Sequence, residues 1–282
     1  MTLQTTLKKI TPASIWNAAR ETRDTLARLP ELPDAYFHPW RRQSLRRLAA
    51  LRDIHKGQRA FIIGNGPSLK NTDLTKLKDE ITFGVNRIYI LFPKMGFTTT
   101  YFLSINSLVI EQCHDEILAL PIPKFLSWRS HRFFDFTQSD KSQISCLPAI
   151  RLPVFLYTTY TGPKFARDAR GRMWEGATVT YVALQLAFHM GFQQVILIGV
   201  DHSFSSKGKP NSMVVSQGDD ENHFAVNYFG SGFRWQLPDL ETSERAYRMA
   251  RKAFELAGRQ VLDATIGGKL TVFPKIEYPS LF

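Results

Sequence analysis

Several residues of this 282-residue chain stand where they could do chemistry, each directly after an apolar run. Gly64, Asn65, Gly66, Pro67 and Ser68 follow the run AFII. Glycines there let backbone N–H groups approach a phosphate or sugar with no Cβ in the way. Asn65 adds an amide that both donates and accepts. Asn86 follows ITFGV and Asn106 follows TTYFLSI. Asparagine suits neutral, two-sided hydrogen bonding, such as to ribose hydroxyls or a base edge. One such asparagine would be read as a turn cap. Three at successive run ends argue for a binding site. Asp201, His202 and Ser203 follow VILIGV. His223 lies in ENHFAVNYFGSGFRW, inside a long irregular stretch over 205–240, and loops of that length are usually functional or mobile. A neutral imidazole accepts a proton near pH 7 and makes a natural general base.

Charged residues near these runs suggest anion handling. Arg172 precedes an apolar helix, with Gly176 and Thr178 at the helix N-terminus, where backbone donors face an anion. Lys207 and Lys209 stand after Asp201, where they would screen a phosphate. Asp201, His202, Asp219, Asp220 and His223 are metal-ligand types, but their spacing matches no known cage, so no metal is predicted. Cys113 and Cys146 are too few for a disulfide framework and fit a reducing compartment; they read as buried thiols without a role.

The elements that must position these groups are short. Strands are expected at 60–64, 81–86, 99–105, 124–128, 194–201 and 259–265. Helices are expected at 107–118, at 176–191 (apolar nearly all round) and at 242–258. The stretch between 128 and 176 reads as irregular. Alternating strands and helices imply a mostly parallel sheet with helices on both faces. Ligands of such sheets bind beyond the carboxyl ends of the strands, where the candidate residues stand. Ahead of this domain, 12–29 reads as an amphipathic helix with Ile15, Ala18, Ala19, Thr22 and Leu26 near one face. The stretch LPELPDAYFHPW reads as a proline-broken linker. A second helix is expected over 41–54, with Leu45, Leu48, Ala49 and Ile54 as its apolar side. The division is thus a basic helical extension over 1–57 and a nucleotide-binding domain over 58–282.

Composition narrows the function. The chain is 44% hydrophobic and 22% charged, which excludes disorder as its main state. No run reaches the roughly 18 apolar residues that span a bilayer, and MTLQTTLKKITPAS lacks a secretory h-region; cytoplasmic residence is expected. The net charge is +11, and residues 1–60 hold twelve Lys/Arg against five Asp/Glu, a net of +7. No nucleic-acid-binding motif accompanies that charge, so nucleic acid is not expected as a partner. Peripheral contact with an anionic membrane is the alternative, with Trp16 and Trp40 nearby.

GNGPSL, the two asparagine-ended runs, RMWEGAT with its helix, VILIGVD and the later NHF resemble two related families. One is the bacterial sialyltransferases of glycosyltransferase family 42. The other is the broader domain of unknown function 115, which includes MptE-like 6-hydroxymethylpterin diphosphokinases and flagellin glycosylation proteins. The likeness covers roughly 58–270, and its closing stretch looks more like the wider family. It implies a Rossmann-like fold and inverting transfer from a CMP-activated sugar to a glycan or glycoconjugate acceptor, with no cofactor or essential metal. By motif position, Asn65, Asn86 and Asn106 would contact the donor, His223 would be the base and Arg172 an acceptor-side arginine. His223, Arg172 and Asp201 form the expected catalytic set. The sialyltransferases place tyrosines after the central strand; here Ser203 and Lys209 stand instead. Glu175 replaces a small hydroxyl residue, and would repel a sialic acid carboxylate. Two alternatives remain: an ATP- and Mg²⁺-dependent diphosphokinase using Asp201, Asp219 or Asp220, and a non-catalytic glycan-binding module.

Overall fold

The structure, a computed structural model, describes residues 13–134, 152–160, 162–204, 208–218, 220–225 and 227–282. Cys146, Lys207 and Asp219 lie outside the described residues. Eight parallel strands form the main sheet. They are β1 (Arg59–Ile63), β2 (Thr82–Val85), β3 (Tyr101–Ser104), β4 (Lys124–Ser127), β5 (Val154–Thr159), β6 (Arg172–Trp174), β7 (Gln194–Ile198) and β10 (Gln260–Asp263), in the order β10-β7-β1-β2-β3-β4-β5-β6. The chain lays β1 to β6 out in one direction, then returns to place β7 on the other side of β1. The register Ala60↔Val195 through Ile63↔Ile198 seats β7 beside β1 along its whole length.

Alternation along each strand divides the interior in two. Ala60, Ile62, Phe83, Leu103 and Val195 face one core, with α5 (Val179–His189) and Ala246, Ala250 and Phe254 of α6 (Leu240–Leu256). Phe61, Ile63, Phe102 and Ile196 face the other, with Val109, Ile110, Cys113 and Ile117 of α4 (Ser107–Ala119). The sheet is therefore Rossmann-like, with helices on both faces. The α5 helix is buried on all sides, which explains why its sequence shows apolar residues nearly all round.

Two strands go beyond the expected set. VFLYTT, read as irregular, forms β5, and all six residues are buried; β6 follows as a short edge strand. The segment 205–240 also contains structure: β8 (Met213–Val215) pairs antiparallel with β9 (Arg234–Gln236).

The N-terminal segment differs most from expectation. The proline-broken linker is helical. Pro30, Pro33 and Pro39 each sit in the first turn of a short helix, where a missing N–H costs nothing: Leu29–Glu31, α2 (Leu32–Phe37) and α3 (Pro39–Ala50). In α3, Leu48 is fully buried in the first core, whereas Ala49 is exposed; the helix ends at Ala50, short of the expected 54, and Ile54 lies exposed in the turn that follows. Ser44 Oγ accepts from Phe155 N–H at 2.9 Å, which satisfies the open edge of β5 before β6 begins. The α1 helix (Ala13–Arg28) is present, but Ile15, Ala18, Ala19, Thr22 and Leu26 face solvent rather than the body. The docked side is polar: Asp24 pairs with Arg172 at 3.3 Å, Glu21 with Lys164 at 3.2 Å, and Arg28 donates to Thr158 O. No described helix is long and apolar enough to cross a membrane.

Candidate active site at the topological switch point

A cleft opens where β1 and β7 part, at their carboxyl ends. That is where neighbouring connections leave an open sheet in opposite directions. One wall is the turn Gly64–Gly66. Gly64 N–H donates to Ile198 O at 2.8 Å and Gly66 N–H to Gly199 O at 2.9 Å, pinning the turn to the β7 exit. A Cβ on Gly64 would strike Gly199 O, and one on Gly66 would overlap the Asp201 carboxylate. Both positions therefore require glycine.

Asp201 holds this turn. Its Oδ1 accepts from Ser68 N–H at 3.0 Å and its Oδ2 from Ser68 Oγ at 2.7 Å. Burial raises its pKa, while the two Ser68 hydrogen bonds oppose the rise. Asp201 lines the cleft, but Pro67 and Ser68 do not. Ser68 supports the turn from behind.

Asn65 binds the two sides of the cleft together. Its Nδ2 donates to Val85 O at 3.1 Å, and its backbone carbonyl accepts from Phe224 N–H at 3.0 Å. Its Oδ1 is buried without a hydrogen-bond partner. Asn86 also lines the cleft. It is left-handed, with φ +52°, and its Oδ1 accepts from Ser104 Oγ. Asn106 lies elsewhere, capping α4 by accepting from Leu108 N–H.

The opposite wall carries His223. Its Nδ1 is 2.7 Å from Asp220 Oδ2. A carboxylate accepts only, so the Nδ1 proton is fixed there and Nε2 becomes the basic nitrogen. The ring stacks on Tyr228 at 4.0 Å and 7°. Asp220 is buried, and its other oxygen accepts from Asn222 N–H. A second imidazole–carboxylate pair shares the cleft: His202, with φ +54°, lies 3.2 Å from Glu244 of α6. Ser203 lines the cleft beside it.

Two helix N-termini complete the wall, and they differ. Thr178 caps α5 with a neutral hydroxyl, and Ala177 through Thr180 line the cleft. Asp239 caps α6 with a carboxylate that accepts from both Thr242 N–H and Thr242 Oγ. The α5 end can therefore receive an anion, whereas the α6 end already holds one. Among the described residues, no lysine or arginine lines the cleft. Lys209 is exposed.

The structure thus brings together Gly64, Asn65, Gly66, Asn86, Thr178, Asp201, His202, Ser203 and His223. It leaves Arg172, Gly176, Pro67, Ser68 and Asn106 outside the lining. Arg172 starts the edge strand β6, paired with Asp24 and donating to Thr159 Oγ. Gly176, with φ +54°, packs against Tyr181 and Ala246. Glu175 is also outside the cleft lining; it accepts from Thr158 Oγ and pairs with Arg129 at 3.4 Å. Its negative charge is thus met by a guanidinium rather than aimed at a ligand. Glu244 and Asp239 were not singled out from the sequence. Asp239 had a readable signal, an acid three residues before Thr242 at a helix start. Glu244 had none, because nothing in its helix spacing points at His202.

Residues 41–207 match the family model described as 6-hydroxymethylpterin diphosphokinase MptE-like. The chain belongs to the MptE-like family. The match includes the glycine turn, Asn86, α5 and Asp201, and it starts inside α3. His223 and Asp220 lie beyond it. No curated protein matches this MptE-like chain. Among solved structures it is similar to the MAf glycosyltransferase from Magnetospirillum magneticum AMB-1, at 14% identity and a TM-score of 0.44. That similarity covers 86% of this chain and 39% of the other, so the MptE-like chain spans about two fifths of that protein's length.

The family description raises the question of a metal. Asp201 and Asp220, two carboxylates a nucleotide-bound Mg²⁺ would use, are engaged with Ser68 and with His223 and Asn222. The described residues hold no group of three or more His, Cys, Asp or Glu able to bind a metal ion. The donor set of the described residues does not fit a resident divalent cation.

Proposed function

We propose that this protein is a glycosyltransferase whose donor is a sugar linked to a nucleotide through a single phosphate, of the CMP-sugar class. The acceptor is a hydroxyl of a glycan or glycoconjugate. His223 Nε2 takes the acceptor hydroxyl proton, and Asp220 stabilises the imidazolium that forms. The hydroxyl oxygen bonds to the anomeric carbon from the face opposite the leaving phosphate, which departs with the electrons of the broken bond. The α5 N-terminus, beside the Gly64–Gly66 turn, stands where that phosphate charge would be received.

The observation that carries this reading is the pairing of a fixed-tautomer histidine with an anion end that has no cationic side chain among the described residues. One phosphodiester charge suits one helix N-terminus. A triphosphate ordinarily needs lysine, arginine or Mg²⁺ as well. A thermal-shift panel tests the reading, since bound ligand raises apparent stability. CMP and CDP should stabilise the protein more than ATP with Mg²⁺, and the reverse order would overturn it.

The family description favours a second reading, a diphosphokinase. There His223 would deprotonate a hydroxymethyl group that attacks the β-phosphorus of ATP, releasing AMP. EDTA-sensitive AMP formation with a pterin alcohol would establish that reaction, and inert ATP in this assay would remove it.

A further inference from the structure

We infer that Arg87 is a positioning residue for His223 and acts through Tyr228. The inference rests on the reading of His223 as the base. His223 lies between β8 and β9, outside both strands, so its ring is placed by its neighbours. One neighbour is Asp220, at 2.7 Å from Nδ1. Another is the Tyr228 ring, parallel to the imidazole at 4.0 Å, with Phe229 edge-on at 4.9 Å. All three neighbours belong to the same irregular stretch as the histidine. They can fix its position only if that stretch is itself held to the body.

Arg87 supplies such a hold. It follows Asn86 of the cleft lining at the exit of β2. Three parts of it meet the stretch. Its backbone N–H donates to the Tyr228 hydroxyl at 3.2 Å, and its Nη1 donates to the Tyr228 carbonyl. Its guanidinium carbon lies 5.8 Å from the centre of the Tyr228 ring and 5.3 Å from that of Phe233. Tyr228 is thus gripped at phenol and backbone, and it is 1% exposed. The guanidinium is fixed from its other side. Tyr89 Oη accepts from Nε at 3.4 Å and donates to Glu116 of α4 at 2.5 Å, while Glu116 lies 3.7 Å from Nη2. A planar group with five donors can serve a carbonyl, a phenol and two rings together, and an ammonium on a flexible stem cannot. Contact therefore runs from α4 through Arg87 and Tyr228 to the imidazole. Such a chain matters for rate, because a displacement of about 1 Å caused by a distant change can cost about 10²-fold.

Proton NMR of the histidine rings reads this placement in the full chain with no substrate, and His223→Gln assigns the signal. The wild-type His223 ring protons should lie upfield of an unstacked histidine, because they sit over the Tyr228 face. In Arg87→Ala they should return by about half or more, as in Tyr228→Leu, and the double variant should move no further than Tyr228→Leu alone. Arg87→Lys serves should the alanine variant fail to fold; it keeps the charge but loses the plane, and a smaller shift in the same direction is expected. Release of CMP from CMP-sialic acid gives a second readout. There kcat of Arg87→Ala should fall about 10–100-fold with KM unchanged. His223 signals that keep their wild-type position in a folded Arg87 variant overturn the proposal. So does a double variant whose shift is the sum of the two single ones, or a raised KM with kcat intact. Inert CMP-sialic acid with the wild type would tell against the proposed donor instead, and NMR alone then decides the role of Arg87.

Discussion

On the proposed mechanism His223→Ala removes the proton acceptor from a ring position supported by Tyr228 and Asp220. Turnover should fall about 10²–10⁴-fold, the usual contribution of a positioned base, with donor affinity kept. Near-normal turnover in a folded variant would strike the histidine from the reaction. Asp220→Asn presents an amide that can donate to Nδ1, reversing the tautomer. Its loss should approach that of the alanine variant in kcat while leaving KM for the donor alone, and steady-state kinetics separates the two. Gly66→Ala acts differently. Its new Cβ meets the Asp201 carboxylate, so the turn must move away from β7. Donor binding should be lost, with destabilisation of about 1–3 kcal/mol read by urea unfolding. The type of these residues was legible in the sequence. What the sequence could not show was the partnership: Asp201, expected to be catalytic, braces Ser68, and Asp220, of metal-ligand type, holds the His223 ring.

At the scale of elements, α3 invites the sharpest test. Leu48→Ala should cost about 2–5 kcal/mol, as for a well-packed core leucine. Ser44→Ala leaves Phe155 N–H without its acceptor and should cost about 1–3 kcal/mol. A single unfolding transition shifted by both variants would place α3 in the same cooperative unit as the sheet. Unchanged midpoints would make it an appendage. Strands with glycine or asparagine at their ends were readable because punctuation follows each apolar run. β5 was not, although VFLYTT is as apolar as any strand, because the turn signals around it are spread over a long aromatic region. The α1 helix shows the complementary error. Its period was right, but periodicity locates an apolar face without saying what that face meets. Here Asp24 and Arg172 decided which side turned inward.

Across the whole molecule, Asp168 links separate parts of the first core's surround. It pairs with Arg52 after α3 and with Arg170 before β6, and lies 3.6 Å from the buried His189 of α5. The hydrogen bond from Arg170 holds its carboxyl at about 2, below the ordinary carboxylate range. A depressed carboxyl contributes stability above its unfolded pKa, and that contribution disappears as the pH falls through the folded value. Asp168→Asn should therefore destabilise the protein at neutral pH, by less than about 1 kcal/mol because the pair is partly exposed. The gap between variant and wild type should close between about pH 4 and pH 2 in urea titrations. A gap that widens toward acid would contradict the assignment.

The bond from Phe224 N–H to the Asn65 carbonyl has its own consequence. It suspends the segment bearing the imidazole from the middle residue of the glycine turn. Whatever stiffens one end steadies the other, so on the proposed function occupancy by a donor and readiness of His223 are mechanically joined. Amide exchange at Phe224 should slow when nucleotide is added, even though no nucleotide atom need touch it.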